Sequence, residues 1–230
     1  MHEAVDGRLP VAGDPIASPR RLAVIRHGET DWNRQGLLQG RVDQPLNATG
    51  EAQALLAAME LAGPTAPRAP FPEPAIPRPP TSWARVIASP LRRASTTARI
   101  IAEHLGLDEP LIVPEFTEQS FGVAEGTPAK DAFLTWPSGD SPEGERRRDV
   151  DARVSTGLRR VLQVYPSEDL ILVCHLVVAR SIMNALIGIE PDEVPNGSAT
   201  VLVREPGAGR WSPRPPTRTT GPAQSTEGRT

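Results

Sequence analysis

Leu170–Cys174 is apolar without a break, residues 22–25 are a shorter segment of the same kind, and Arg85–Ala88 is another, apolar after its first residue. A strand that is apolar on both faces has to be covered on both faces. That is the setting of a parallel sheet between layers of helix. Helix signals fall between these strands. Thr49 stands as the cap of a helix running to about Leu61. Ser89 and Pro90 suit the N-cap and first position of a second helix, which passes through Arg92, Arg93 and Ala94 to about His104 and stops at Gly106. The pattern also predicts a strand at 111–113, a long helix over 145–164 and a helix over 177–187 closed by Gly188. A last strand is predicted at 199–203, on the edge of the sheet. Alternating strands and helices predict a three-layer α/β/α sandwich with a mostly parallel sheet.

Not all of the chain suits such a core. Proline and glycine together make about a fifth of the 230 residues, well above ordinary usage. They concentrate in 1–20, 62–82 and 206–230. The middle stretch holds eight prolines, so it is expected to be an extended, unpaired surface insertion. The two end stretches are expected to be disordered. That leaves one domain, 21–205, large enough for a sizeable core. A formal charge of −3 argues against a strongly basic nucleic-acid binder. One cysteine excludes a disulfide scaffold and a cysteine-rich metal site. No apolar run approaches the length needed to cross a membrane, and the first ten residues lack the apolar core of a signal peptide. A cytoplasmic protein with no nucleic-acid or membrane partner is the expectation.

Open α/β sheets bind ligands beyond the carboxyl ends of their strands. The residues that follow each predicted strand are therefore the candidates. Arg26 and His27 follow the first, Ser89 to Ala94 the second, Glu115 and Glu118 the third, and His175 the fourth. Two of the chain's four histidines, several arginines and a carboxylate thus share one edge of the sheet. Arginine forks suit a phosphate dianion. A neutral imidazole is a competent nucleophile toward phosphorus, and a carboxylic acid can protonate a leaving oxygen. The set points to phosphoryl transfer through a phosphohistidine.

Five blocks carry a resemblance. They are LAVIRHGETDWN from Leu22 to Asn33, continued by QGRVDQPLNATG from Gln39 to Gly50; SPLRRA from Ser89 to Ala94 with Thr97 and Ala98; EQSFG from Glu118 to Gly122 with Glu125 and Gly126; Cys174-His175; and PNGS from Pro195 to Ser198. In that order they resemble the histidine phosphatase superfamily, also called phosphoglycerate-mutase-like, over roughly residues 22–203. The resemblance implies that fold. It implies that His27 is the phosphorylated nucleophile and that Arg26, Arg93 and His175 line the phosphate pocket, with Arg93 selected over Arg92. It implies Glu118 as the proton donor, with Glu115 as the nearby rival. Asn33 is then expected to touch the phosphoryl group, and Gln39 and Gly40 to line the substrate side. No cofactor or metal is implied, and the expected partner is a small phosphorylated substrate; whether the protein is a monomer or a homodimer stays open. One departure stands out: Leu176 follows the second histidine where the family usually has glycine. Leucine fits there if its φ is negative.

The remaining candidates have ordinary readings. His104 near a helix end answers the helix dipole, His2 lies in the N-terminal stretch, and Cys174 is a small buried hydrophobe. Glu145 begins an exposed helix, although it could face the pocket. Two other activities compete with hydrolysis. A mutase would need a cover that excludes water, for which 121–141 is the available segment. A pseudo-phosphatase that only binds phosphorylated ligands has Leu176 as its sole support. Phe133 and Trp136 in the candidate cover tilt the expected substrate toward a partly apolar phosphomonoester.

Overall fold

A computed structural model describes residues 20–63, 82–204 and 210–214. A six-stranded sheet has the order β3-β2-β4-β1-β5-β6. Its strands are β1 (Arg20–Arg26), β2 (Arg85–Ala88), β3 (Leu111–Ile112), β4 (Leu170–Cys174), β5 (Ala199–Arg204) and β6 (Ser212–Pro213). β4 lies parallel between β1 and β2, and β3 is parallel to β2. β5 runs antiparallel to β1, and β6 antiparallel to β5.

Alternate side chains of the central strands enter two cores, as the period of two requires. Leu22, Val24, Ile87, Leu170, Leu172 and Cys174 face one core. Helices α5 (Arg147–Val164) and α6 (Leu176–Ile187) cover it. Ala23, Ile25, Val86, Ala88, Ile171 and Val173 face the other, covered by α2 (Ala48–Ala62) and α3 (Arg92–Leu105). The sandwich therefore has three layers, and all five residues of β4 are buried. Two short helices, α1 (Asp31–Arg34) and α4 (Ala129–Thr135), sit in the connections. No helix among the described residues is long and apolar enough to cross a membrane.

Several local expectations are corrected. Helix α2 is capped by Asn47, whose side chain accepts from the Gly50 N–H at 2.9 Å, and Thr49 lies inside the helix. Helix α3 starts at Arg92 with the apolar Leu91 at its N-cap, so no side chain caps it, and the Ser89 hydroxyl accepts from the Leu91 N–H at 3.3 Å. β3 is two exposed residues, since Pro114 opens a 3-10 turn directly after Val113. Helix α5 starts at Arg147 rather than Glu145, whose carboxylate is ion-paired to Arg153 and Arg41. β5 is not the edge, because β6 pairs beyond it and the neighbouring Trp211 is buried. Packing thus reaches into the expected C-terminal tail. It also includes Arg20, which opens β1 and is 3 % exposed. Of the proline-rich stretch, Ala62 ends α2 and Gly63 is its C-cap, while 64–81 lie outside the described residues.

Candidate active site

The carboxyl ends of β1, β2 and β4 converge. His27 N–H donates to the Cys174 carbonyl at 2.9 Å, and Ser89 N–H to the Val173 carbonyl at 3.1 Å, so the ladder itself sets the start of each loop. Gly28 lets the first loop turn against α2. A Cβ there would stand 2.2 Å from the Gly50 carbonyl oxygen, so backbone packs on backbone.

His27 is 3 % exposed. Its Nδ1 lies 2.7 Å from the Gly28 carbonyl. A carbonyl only accepts, so Nδ1 carries the proton and Nε2 keeps its lone pair. Consistent with that, Arg93 Nε donates to His27 Nε2 at 3.2 Å. Burial, then the charges of Arg93 and Arg26, hold the imidazole well below its ordinary pKa. His27 is therefore neutral near pH 7, as a nucleophile must be.

The ring of His175 lies 5.1 Å from that of His27, tilted by 60°. Its Nε2 is 2.7 Å from the Ser89 hydroxyl, and its buried Nδ1 has no partner among the described residues. Burial, then Arg93 and His27, lower its pKa strongly. Arg26 donates to the Val194 carbonyl at 2.8 Å, while its buried Nε is unpartnered among the described residues. Arg93 is 1 % exposed and is held by the Gly40 and Val42 carbonyls at 2.7 and 2.9 Å. Burial pulls it down to about 10, which still leaves it cationic at neutral pH. Arg26 Nε and His175 Nδ1, both unpartnered among the described residues, form with the buried Arg93 and the half-buried Arg26 a setting that an anion would satisfy.

Glu118 enters from the third loop. Its carboxyl accepts from Gln119 N–H at 2.9 Å and from Val177 N–H, in the first turn of α6, at 3.3 Å. Burial raises its pKa, against the opposing pull of those N–H groups and of Arg93 and Arg26. Glu118, Arg26, His27, Asn33, Gln39, Gly40 and Arg93 all line one cavity of about 390 Å³. His175 stands behind that wall and is fully buried. Asn33 is fixed by its capping box with Thr30 and accepts from Asn196 Nδ2 at 3.2 Å. The Gln39 amide oxygen accepts from the Thr30 hydroxyl at 3.0 Å. Glu115 is ion-paired to Arg160 at 2.9 Å and does not line the cavity. Arg92 is exposed and outside it as well. Among the described residues no group of three His, Cys, Asp or Glu could hold a metal ion.

The family model described as histidine phosphatase superfamily (branch 1) matches residues 22–70 and 78–213. The chain belongs to the histidine phosphatase superfamily. A Bacillus subtilis protein named uncharacterized phosphatase PhoE is 34% identical over 172 residues, covering 74% of this chain and 79% of its own length. A Yersinia enterocolitica protein named probable phosphoglycerate mutase GpmB is 28% identical over 182 residues, 74% of this chain and 76% of its own. Among solved structures, a mycobacterial glucosyl-3-phosphoglycerate phosphatase in complex with VO3 matches with a TM-score of 0.67 at 25% identity. That match covers 84% of this chain and 97% of the other. The α/β architecture and the phosphatase class expected from the sequence agree with these matches.

In this histidine phosphatase the departure at Leu176 is accommodated without strain. Leu176 opens α6 in right-handed helix, and Glu143 is the only non-glycine residue with positive φ among the described residues. Three site features escaped the sequence reading. Ser89 looked like a helix cap and instead holds His175. Asn196 donates to the His27 carbonyl at 3.0 Å, a role that its place in the PNGS block hints at without specifying. Arg180 and Arg147 line the cavity from helices that nothing in the sequence placed at the site. Cys174 matches expectation as a buried hydrophobe, its thiol pushed up by burial.

Proposed function

We propose that this histidine phosphatase hydrolyses small phosphomonoesters through a phosphohistidine at His27. The observation that carries the reading is the lone pair on a buried, neutral His27 Nε2, met by a charged Arg93, in the same cavity as a buried carboxyl with a raised pKa. In the first step Nε2 attacks phosphorus in line. The phosphorus–oxygen bond to the alcohol breaks, and Glu118 delivers its proton to that oxygen. Arg26 and Arg93 stabilise the charge on the equatorial oxygens, His175 backs the His27 ring at 5.1 Å from behind the cavity wall, and Asn33 adds a contact to the phosphoryl group. In the second step Glu118 takes a proton from water, whose oxygen displaces His27 Nε2 and releases inorganic phosphate.

The leaving group meets a wall that includes Leu38, Phe121, Phe133, Pro137 and Leu176, with Gln39 and Gly40 on the substrate side. Arg147 in that wall is matched by Asp151 and Glu190, and Arg180 donates to the Pro191 and Asp192 carbonyls. This lining supports a partly apolar phosphomonoester over a sugar bisphosphate. Hydrolysis is favoured over mutase chemistry because the segment available as a cover, residues 121–141, is short.

A panel of phosphomonoesters assayed in the presence of EDTA tests this. The expected result is phosphate release, with an acid-labile phosphate trapped on His27 in quenched samples. Turnover that vanishes with the chelator and returns with a divalent ion would overturn it. Phosphate exchange between the positions of phosphoglycerate would replace it with the mutase reading.

A further inference from the structure

The segment that carries Glu118 belongs to neither a strand nor a long helix, yet its backbone is closely held. Arg153, on α5, holds it. Its Nη1 donates to the Glu115 and Thr117 carbonyls at 2.8 and 2.6 Å. Its Nη2 donates to the Glu118 carbonyl at 3.1 Å and to Glu145 Oε2 at 2.8 Å, and its Nε donates to Glu145 Oε1 at 2.7 Å. A guanidinium has five N–H donors in a fixed fork, and all five are used here. Glu145 is itself anchored, since its N–H donates to the Ser120 carbonyl at 2.8 Å and its own carbonyl accepts from Gln119 Nε2 at 2.8 Å.

A second feature of the same helix face agrees. Gly157 lies one turn beyond Arg153, and a Cβ there would stand 2.6 Å from the Cβ of Glu115. Glycine interrupts an eighteen-residue helix at a cost, here where the Cβ of Glu115 packs against it. Arg153 does not line the cavity, so it acts on the reaction only through the residues it holds.

We propose that Arg153 is the positioning residue for Glu118: it gathers three consecutive-turn carbonyls and Glu145 onto one fork, and so sets where the acid meets the leaving oxygen. The inference rests on the reading of Glu118 as the proton donor. A displacement of about 1 Å in a catalytic group can cost on the order of 10²-fold in rate. That loss should appear only where acid help is needed.

The test measures phosphoenzyme formation in the pre-steady state on two substrates, p-nitrophenyl phosphate and an alkyl phosphate. Arg153→Lys keeps the charge but offers three donors instead of five. It should slow the alkyl phosphate roughly tenfold or more and p-nitrophenyl phosphate at most about threefold, because nitrophenolate leaves with little acid help. Gly157→Ala keeps every donor and displaces Glu115, and should give the same pattern more weakly. Should Arg153→Lys fail to fold, by circular dichroism and Tm, Gly157→Ala carries the test. Glu118→Gln, run in parallel, separates the two readings. If it shows the leaving-group dependence while both clamp variants lose equally on the two substrates, or lose nothing, the positioning role is overturned and the acid stands. If Glu118→Gln itself shows no dependence on the leaving group, the acid assignment falls and the inference with it.

Discussion

The half of the site carried by strands and the half carried by residues 114–141 are held in different ways. His27, Ser89 and His175 each follow a buried strand, and sheet hydrogen bonds run to the start of the first two loops. Glu118 and the cover follow a strand of two exposed residues. Their backbone is placed by side chains: Arg153, the carbonyl of Glu145 against Gln119, and the Ser141 hydroxyl on the Phe121 carbonyl. Topology thus supplies the precision of the phosphate end, whereas polar side chains and loop-to-loop backbone bonds, such as Leu38 N–H to the Thr127 carbonyl and Gly126 N–H to the Leu38 carbonyl, supply that of the leaving-group end. Damage to the first should need a change in the site. Damage to the second can come from a residue outside the cavity.

Five measurements sharpen or break that contrast. His27→Ala should abolish both turnover and phosphate labelling of the protein, and label on another residue would reassign the nucleophile. Arg93→Ala should cost on the order of 10²–10³ in kcat/KM, the size of losing one charge-stabilising donor. Arg92→Ala, an exposed neighbour, should stay within about twofold on the same scale. Loss from Arg92 alone would shift the register by one.

Ser89→Ala leaves His175 Nε2 buried without its partner. It should destabilise the fold by about 1–3 kcal/mol and slow the reaction by a factor of roughly ten on the same energy scale. An unchanged Tm together with unchanged kinetics would show that the strand-carried half tolerates a missing bond.

The fourth measurement is stability against pH. In the unfolded chain both histidines take up a proton near 6.5, whereas burial keeps them neutral to well below that in the folded protein. The unfolded state then binds more protons, so stability falls as pH drops below about 6.5, by up to about 1.4 kcal/mol per pH unit for each histidine. Glu118 works in the opposite sense. Its raised pKa means that the folded state keeps a proton the unfolded state has lost, and that contribution disappears as pH rises through its folded pKa. Tm should therefore fall on acidification, and more steeply in Glu118→Gln. A flat profile in both proteins would contradict the buried, neutral histidines.

The smallest effect is expected from replacing 64–81 by a short Gly-Ser bridge. The flanking residues Gly63 and Ser82 border one cleft beside Arg21, at the amino end of β1 and away from His27. Loop closure depends only weakly on length, so kcat should hold within about twofold. A folded deletion variant that loses most of its turnover would tie that region to the site.

Local sequence patterns carried the central strands, the helices that cover them and the arrival of two histidines, two arginines and a glutamate at one sheet edge. Each of these follows from hydrophobic period, from helix stops such as Gly106 and Gly188, and from the rule that parallel strands end at the ligand. What failed was local in form and tertiary in cause. Ser89 has the chemistry of a helix cap and so does Thr49, but a hydroxyl serves whichever partner packing brings within reach. Packing brought His175 to one and gave the other's helix to Asn47. Trp211 and β6 lie in a stretch whose composition reads as unpaired, yet β5 offered an open edge for them.

The sequence by itself determined the layered α/β fold and which residues meet around the phosphate end, because both depend on periodicity and strand order, which are written locally. The block around Glu118 already favoured it over Glu115; only the tertiary structure decided that Arg153 and Gly157 hold its segment in place. Those outcomes depend on contacts between residues some forty positions apart, where a donor fork and a missing Cβ act together, and no local pattern encodes such a contact.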